Sequence, residues 1–412
     1  MTFEELISTQ IRKPDAQIYT EAKAGWDAVA KPIDGLGDLE EILCRIASAA
    51  GSICPDISEK ALVIMCADNG VVAEGVSQSG QSVTSRVAGL MGEGRSSAGA
   101  MCRSYPADIL PVDVGINSDE VIPGVLQKKV RKGTRDIARE SAMTAAECLE
   151  AVRTGIEVAE YCRAKGYGIL AAGEMGIGNT TTAAALLSAL TGEDPALITG
   201  KGAGLPEEGL KRKIQVIRDA LQLHLGEITA ENSLRQGVGH PVDVRLAPTE
   251  AEHRAGDAQQ KAPIALHTPA SGLPATARMV SPEDTFECLR RLGGLDIAAM
   301  AGLFIGGAAQ GLPVVIDGLI SAVAALAAER IVPGCREYMI ASHSGREKGT
   351  MEALKRLALK PVICADLALG EGTGAILLFP ILDMAMSLYR NGTAFADSGI
   401  EPYRRFGESG TS

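Results

Sequence analysis

The sequence has few aromatic residues and no excess of positive charge. Phe, Trp and Tyr make up 3% of its 412 residues, and 40 Lys and Arg against 51 Asp and Glu give a formal net charge of -11. Such a chain is poorly suited to neutralising nucleic-acid phosphates or an anionic lipid surface. It also lacks the aromatic platforms on which single-stranded bases stack. We therefore expect neither nucleic acid nor membrane as a partner.

Long uninterrupted hydrophobic runs are missing as well. The two most apolar stretches, residues 303–328 and 374–389, each contain a proline and an aspartate, so neither is predicted to span a membrane. The first 17 residues have no apolar core behind a basic head, unlike a signal peptide. We therefore expect a cytoplasmic protein.

The cysteine and histidine patterns do not favour a disulfide framework or a metal centre. Nine cysteines are scattered, odd in number and without any Cys-x-x-Cys pair, and the five histidines do not have the short spacings of zinc motifs. We expect reduced, mostly buried thiols, no metal and no cofactor.

Short apolar runs alternate with stretches of helical period, which is typical of a parallel sheet covered by helices. Thr144 and Glu147 form a capping box before one amphipathic helix that ends near Lys165. The sequence thus predicts an α/β, Rossmann-like, mostly parallel sheet flanked by helices. The predicted strands are 61–66, 109–114, 167–172, 313–316, 338–341 and 361–364; further predicted helices are 295–311, 319–329, 351–359 and 374–391.

The domain organisation follows from where strand candidates are absent. Residues 1–60 and 388–412 contain none and are predicted to form a small helical lobe, beside a large α/β domain of residues 61–387. Residues 226–284 are rich in Pro, Ala, His and charge without a regular period. We interpret this segment as an insertion or extended excursion within the large domain.

Each predicted strand but the last is followed directly by a polar or glycine-rich junction, and another such junction begins at Gly370. In a parallel sheet the carboxyl ends of the strands share one edge, where ligands of open α/β folds bind. A small-molecule site is therefore predicted there. The junctions are 68–70, 115–116, 173–181, 317–318, 342–345 and 370–374.

The junction at residues 173–181 favours binding of a phosphate group. It leads from a strand into a helix, and its glycines allow backbone N–H groups to approach an anion. Its Gly-x-x-Gly-x-Gly order differs from the P-loop and from the dinucleotide motif, which disfavours a nicotinamide-dependent oxidoreductase. Lys213 follows a second glycine-rich turn, at 200–204. It is either a phosphate clamp or a lysine at the core edge that extends to solvent.

Glu371 and His343 are the candidate catalytic side chains. Glu371 lies between two glycines before an apolar helix, where a partly desolvated carboxylate suits general base work, although it could equally cap that helix. His343 could pair with Ser342 or Ser344, but no nucleophile elbow surrounds them, so hydrolase chemistry is disfavoured.

These motifs, taken in order along most of the chain, resemble those of the nicotinate-nucleotide:dimethylbenzimidazole phosphoribosyltransferase family. The resemblance is carried by Lys31-Pro32 and residues 36–40, 67–77, Gln81, 83–84, 112–115, 173–181, Gly294, 297–298, 316–318, 342–343 and 369–374.

The resemblance implies transfer of the 5-phosphoribosyl group of nicotinate mononucleotide to dimethylbenzimidazole or a related base, in a homodimer. It assigns Glu371 as the general base and places Glu174 and Met175 near the reacting groups. It implies that Gln81 and Leu369 line the base pocket, and that the phosphate is held by Gly176, Lys213, Ser344 and Gly345. The alternative is a nucleotide-binding subunit of a heteromeric relative that uses another base.

Overall fold

The computed structural model describes residues 1–235 and 281–403, and these fold around one six-stranded sheet in which every pairing is parallel. Its order is β3-β2-β1-β4-β5-β6. The strands are β1 Lys60–Ala67, β2 Asp108–Gly115, β3 Leu126–Gln127, β4 Ile169–Met175, β5 Val314–Ile316 and β6 Met339–Ala341. This is the strand order of Rossmann-type nucleotide-binding sheets, as the predicted fold class requires.

Helices connect the strands and cover the sheet. They are α1 Phe3–Ile7, α2 Ala16–Ala28, α3 Asp38–Ala50, α4 Ser82–Gly92, α5 Ser97–Ser104, α6 Ala145–Ala164, α7 Asn179–Thr191, α8 Pro195–Ile198, α9 Glu207–Arg235, α10 Pro282–Leu292, α11 Leu295–Gln310, α12 Leu319–Ile331, α13 Lys348–Arg356, α14 Thr373–Asn391 and α15 Phe395–Ser398. The predicted capping box is present: Thr144 and Glu147 each bond the other's backbone N–H at the start of α6.

The sheet divides the hydrophobic core into two layers because its side chains alternate between faces. In β1, Val63 and Met65 pack with residues of α6, α7, α11 and α12, whereas Leu62 and Ile64 pack with residues of α2, α3, α5 and α14. Both faces are therefore covered, and β1, β5 and β6 are buried throughout their length.

Five of the six predicted strands are confirmed, and the sixth is wrong. Residues 361–364 make one isolated parallel bridge, between His343 and Ile363. Pro361 has no N–H to donate, and the chain becomes exposed from Cys364 onward. The sequence prediction also missed β3, a two-residue exposed strand whose period is too short to detect.

The predicted excursion at 226–284 is wrong at both ends. Residues 226–235 continue α9. The buried side chains of this helix form one stripe that includes a histidine: Ile217, Leu221, His224 and Ile228. At the other end Ser281 caps α10, accepting the N–H of Asp284 at 3.1 Å. Residues 236–280 lie outside the described residues.

Residues near the two ends of the chain contact each other, as the proposed lobe requires, but they also share a core layer with the large domain. The Ala30 N–H donates to the Thr393 carbonyl at 2.8 Å, and the Trp26 and Tyr389 rings lie 4.9 Å apart. However, Ile46 of α3 shares its core layer with Leu62 of β1. Residues 404–412 lie outside the described part of the chain, and the division into two domains stays a prediction.

Helix α14 is long and apolar enough to cross a bilayer, judged by length and composition alone. Half of it is buried in the protein, and its Ile376, Phe379 and Leu382 side chains pack in the second core layer. The apolar character of α14 is therefore explained by the core.

Candidate active site

The site lies where the strand order reverses, between β1 and β4, because the loops that follow these strands leave the sheet in opposite directions. Asn69 follows β1 and Gly176 follows β4, and the Asn69 N–H donates to the Ile177 carbonyl at 3.2 Å. A Cβ atom at Gly176 would lie 2.1 Å from the Ala67 carbonyl oxygen. Only glycine allows the two loops to approach this closely.

On the β1 side, Asp68 anchors the neighbouring segments. Its carboxylate accepts the Thr84 hydroxyl at 2.6 Å and the Asn117 N–H at 2.8 Å, while burial raises the pKa of Asp68. Gln81, just before α4, donates to the Asn69 carbonyl at 3.1 Å and accepts from the Asn117 amide at 2.8 Å. Gln81 is therefore held in one orientation, on the wall of an open cavity of about 430 Å³.

On the β4 side, Glu174 and Asp296 converge on one amide. The Asn179 Nδ2 donates to Glu174 and lies 3.3 Å from Asp296 Oδ2. Burial, and then the negative charge of Asp296, raise the pKa of Glu174 to about 8. Burial also raises the pKa of Asp296 to about 6. The site therefore contains carboxyl groups that take up protons near neutral pH.

Glu371 occupies a strained turn against β4. Its φ of 60° lies in the left-handed region, between Gly370 and Gly372, which also have positive φ. A Cβ at Gly173 would lie 2.9 Å from the Glu371 carbonyl oxygen, so this glycine allows the turn to approach the strand. The Glu371 carboxylate accepts the Ala98 N–H at 3.1 Å. It caps α5, and not the helix that follows it.

Lys213 is buried, which contradicts the interpretation of a lysine that extends to solvent. Its side chain is 0% exposed, and its Nζ donates to the Thr180 hydroxyl at 2.8 Å and the Gly200 carbonyl at 3.2 Å. Burial lowers the pKa of Lys213 to about 8. A buried ammonium group beside the first turn of α7 is suited to bind an anion.

The turn after β6 reaches the same region. Gly345 has a φ of 67°, and Glu347, two residues on, accepts the Gly202 N–H at 3.1 Å. This bond joins the Ser344-Gly345 turn to the loop above Lys213. Ser342 is buried, donates to the Ile316 carbonyl at 2.6 Å and lies 2.8 Å from His343 Nδ1. It is therefore not exposed as a nucleophile.

Two predicted residues lie at the margin of this group. Met175 ends β4 and packs at the edge of the second core layer. Leu369 is 57% exposed on the outer side of the Glu371 turn. The structure thus brings Glu174, Glu371, Gly176 and Lys213 to one edge of the sheet, and it places Leu369 at the surface of that edge.

Sequence reasoning placed Asn179 and Asp317 in predicted junctions without giving either a role, and it missed Asp296. Asp296 is fully buried in the first turn of the otherwise apolar α11, and this isolated acid was the available signal. Asp317 accepts the Ala375 N–H at 3.0 Å, and burial raises its pKa.

A separate group of carboxylates belongs to Asp27, Asp34 and Glu40, whose ligand atoms lie within 4.8 Å of one another. The Lys31 Nζ is 2.7 Å from Glu40, and Lys23 is paired with Asp34. Since two ammonium groups already pair with Asp34 and Glu40, the group is an ion-pair network and does not indicate a metal centre.

Comparison with known proteins places the chain among transferases. A phosphoribosyltransferase family model matches residues 11–239 and 271–400, and the unmatched segment between them lies inside the predicted insertion. A crystal structure of CobT from Thermus thermophilus superposes with a TM-score of 0.76 at 33% identity, covering 94% of this chain and 100% of that one.

Two relatives share the name nicotinate-nucleotide–dimethylbenzimidazole phosphoribosyltransferase. The protein of Ruminiclostridium cellulolyticum is 38% identical over 98% of this chain and 99% of its own length. That of Acetivibrio thermocellus is 37% identical over 92% of each. On the family match and these near full-length similarities, the chain belongs to this phosphoribosyltransferase family.

Proposed function

We propose that this protein transfers the 5-phosphoribosyl group of nicotinate mononucleotide to dimethylbenzimidazole or a related base, releasing α-ribazole 5′-phosphate and nicotinate. The observation that carries the proposal is the convergence of Glu371, Glu174 and buried Lys213 at the carboxyl edge of the sheet. The names of the relatives supply the substrate class.

The chemistry is a displacement at the anomeric carbon of the ribose. A nitrogen of the incoming base forms the new C–N bond, while the electron pair of the old bond returns to the pyridinium nitrogen of the leaving nicotinate. The leaving group is cationic before departure and needs little acid assistance. The incoming base becomes cationic as it attacks, so its ring N–H proton must be removed. One general base is sufficient.

Glu371 is that base in our proposal. Its carboxylate is half-buried beside β4, and the bond from the Ala98 N–H fixes its Oε2 at the positive end of α5. This bond orients the carboxylate that accepts the proton in our proposal. A positioned base typically contributes a factor of about 10² to 10⁴ in rate.

Lys213 and the glycine turns are proposed to bind the ribose 5-phosphate. The Lys213 ammonium group is held by Thr180 in the first turn of α7, directly after Gly176 and Gly178. The Ser344-Gly345 turn approaches through the bond between Glu347 and Gly202. A charge-assisted hydrogen bond to phosphate is worth about 1.5 to 3 kcal/mol.

The aromatic base is proposed to bind against Gln81, with Leu369 and Met175 contributing apolar surface near the reacting groups. Gln81 is fixed by Asn69 and Asn117 and lines the open cavity at this edge. We also expect a homodimer, as in the family, and sizing by light scattering tests this expectation.

The test is incubation of the purified protein with nicotinate mononucleotide, with and without dimethylbenzimidazole, followed by chromatography. We expect free nicotinate and ribazole phosphate only when the base is present. Nucleotide binding by calorimetry without product, for any base offered, would contradict the proposal and favour the nucleotide-binding subunit of a heteromeric enzyme.

A further inference from the structure

Asp296 is a buried acid that the proposed reaction does not yet use. Its side chain is 0% exposed, at the second position of α11. Two glycines leave room for its carboxylate: a Cβ at Gly294 would lie 2.2 Å from Oδ1, and one at Gly176 would lie 2.8 Å from Oδ2. The fold therefore reserves space for this charge directly behind the loop that follows β4.

Asp296 is linked to Glu174 through a single side chain. The Asn179 amide nitrogen lies 3.3 Å from Asp296 Oδ2 and donates to Glu174 Oε2. Asn179 is itself buried at the start of α7. The three groups form a chain that runs from the core to the reaction site, so the position of Glu174 depends on that of Asp296.

We propose that Asp296 is a positioning residue that orients Glu174 through Asn179 and, by its negative charge, keeps Glu174 in its neutral, hydrogen-bond-donating form beside Glu371. The inference rests on the proposed function, since it assigns different protonation states to the two glutamates of that reaction. A pair of carboxyl groups whose environments differ in this way can act as one acid and one base.

The charges around Glu174 support this assignment. Its principal charged neighbours are three carboxylates, Asp296 on α11, Asp317 after β5 and Glu371 before α14, with the Asn179 amide on α7 as the opposing hydrogen-bond donor. On β1, the thiol of Cys66 is buried and its pKa is raised well above its ordinary value, so Cys66 adds no charge. The like charges favour a proton on Glu174.

A neutral Glu174 suits an anionic substrate. Nicotinate mononucleotide carries a phosphate and a carboxylate, and the ionised Glu371 already adds one negative charge to the site. A second ionised glutamate would repel the nucleotide, whereas a carboxylic acid donates a hydrogen bond to one of its oxygens.

The test is the pH profile of kcat/KM for the wild-type protein and two variants. Asp296→Asn removes a like charge, so we expect Glu174 to ionise sooner and the basic limb to move down by about one pH unit. Asn179→Ala removes a hydrogen bond that stabilises ionised Glu174, so the basic limb should move up, with a lower kcat. A merely structural role would reduce activity without opposite shifts, and shifts that are absent or of one sign would overturn the inference.

The matched control is Asp113→Asn. Asp113 is equally buried, but it lies within β2 and is paired with Lys129 at 3.2 Å, so its removal should leave the basic limb in place. The substrates' own ionisations are common to all these proteins and cancel in the comparison.

A second readout does not require turnover. The infrared difference spectrum between the wild-type protein and Glu174→Gln at pH 7 should contain the band of a protonated carboxyl group. In the Asp296→Asn background this band should fall to about half, since a shift of about one pH unit leaves Glu174 about half protonated at pH 7. A wild-type protein that lacks the band would overturn the inference even if the transferase is active. A protein with the band but no transferase activity would instead contradict the proposed function.

Discussion

The Glu371 carboxylate accepts a hydrogen bond from the backbone N–H of Ala98 at 3.1 Å. Ala98 lies in the first turn of α5, whose N-terminus carries a partial positive charge. Glu371 is thereby held as a helix cap before any substrate arrives. The same bond connects the turn before α14 to α5, which precedes β2 in the chain. The proposed base is therefore oriented by a tertiary contact.

Glu371→Gln is expected to lower kcat by a factor of about 10² to 10⁴, because the amide cannot accept the proton of the incoming base. The amide oxygen can still accept from Ala98, so the melting temperature should change little. Steady-state kinetics and thermal unfolding measure both effects. Glu329→Gln is the control, since Glu329 also accepts backbone N–H groups, from Gly334 and Arg336, but lies outside the site. Near-normal turnover in Glu371→Gln would remove this residue from the role of base.

Lys213→Met is expected to raise KM for the nucleotide with a smaller loss in kcat, because the phosphate loses a charged partner. Lys60→Met is a suitable control: Lys60 is also buried, but its partner is Asp383, at 3.0 Å. An unchanged KM in Lys213→Met would contradict the phosphate assignment.

The same Lys213→Met change is expected to stabilise the free protein at pH 7 by about 1 to 3 kcal/mol. Burial lowers the pKa of Lys213 to about 8, against about 10.4 in an unfolded chain. The folded state therefore bears the cost of a buried charge below pH 8, and the cost disappears as the pH rises towards 10.4. Urea unfolding at pH 7 and pH 10 should show the gain shrinking. A gain that grows with pH would contradict this account.

Gly155→Ala is expected to destabilise the protein by about 1 to 3 kcal/mol. Helices α6 and α11 approach so closely that a Cβ at Gly155 would lie 1.9 Å from the Ala299 carbonyl oxygen. Gly226→Ala provides the comparison, since no atom lies within 4 Å of a Cβ at that position in α9; it should be stabilising by about 0.5 to 1 kcal/mol. Equal unfolding free energies of the two variants would show that the helix contact is not as tight as described.

Asp296→Asn should become more stable relative to the wild-type protein as the pH rises from 4 to 7. Burial raises the pKa of Asp296 to about 6, above its unfolded value of about 3.9. The folded state binds more protons in this range, so wild-type stability falls with increasing pH, by up to about 3 kcal/mol from this group. Asp366→Asn, an exposed aspartate paired with Arg346, gives the baseline. A stability difference between Asp296→Asn and wild type that does not change with pH would contradict the burial of an ionisable group.

The sequence by itself determined the fold class and the glycine-rich junctions around which the candidate site is built. Period, capping and glycine-rich junctions depend on near neighbours in the chain, which is why the capping box at Thr144, the strand-to-helix turn at 173–181 and the turn around Glu371 were predictable. Where local signals were weak, the prediction failed: residues 361–364 make only one isolated bridge, and the irregular composition from Gly226 onward concealed the continuation of α9.

The tertiary structure decided what those residues do to one another. The burial of Lys213 depends on the segments that cover its side chain. These segments are α7 and the loop at residues 200–202. Asp296 and Glu174 are 122 residues apart, yet they share the Asn179 amide only because α7 and α11 begin at the same edge of the sheet. Burial and the proximity of like charges set the protonation of these groups, and both are properties of the folded chain that no local pattern of residues encodes.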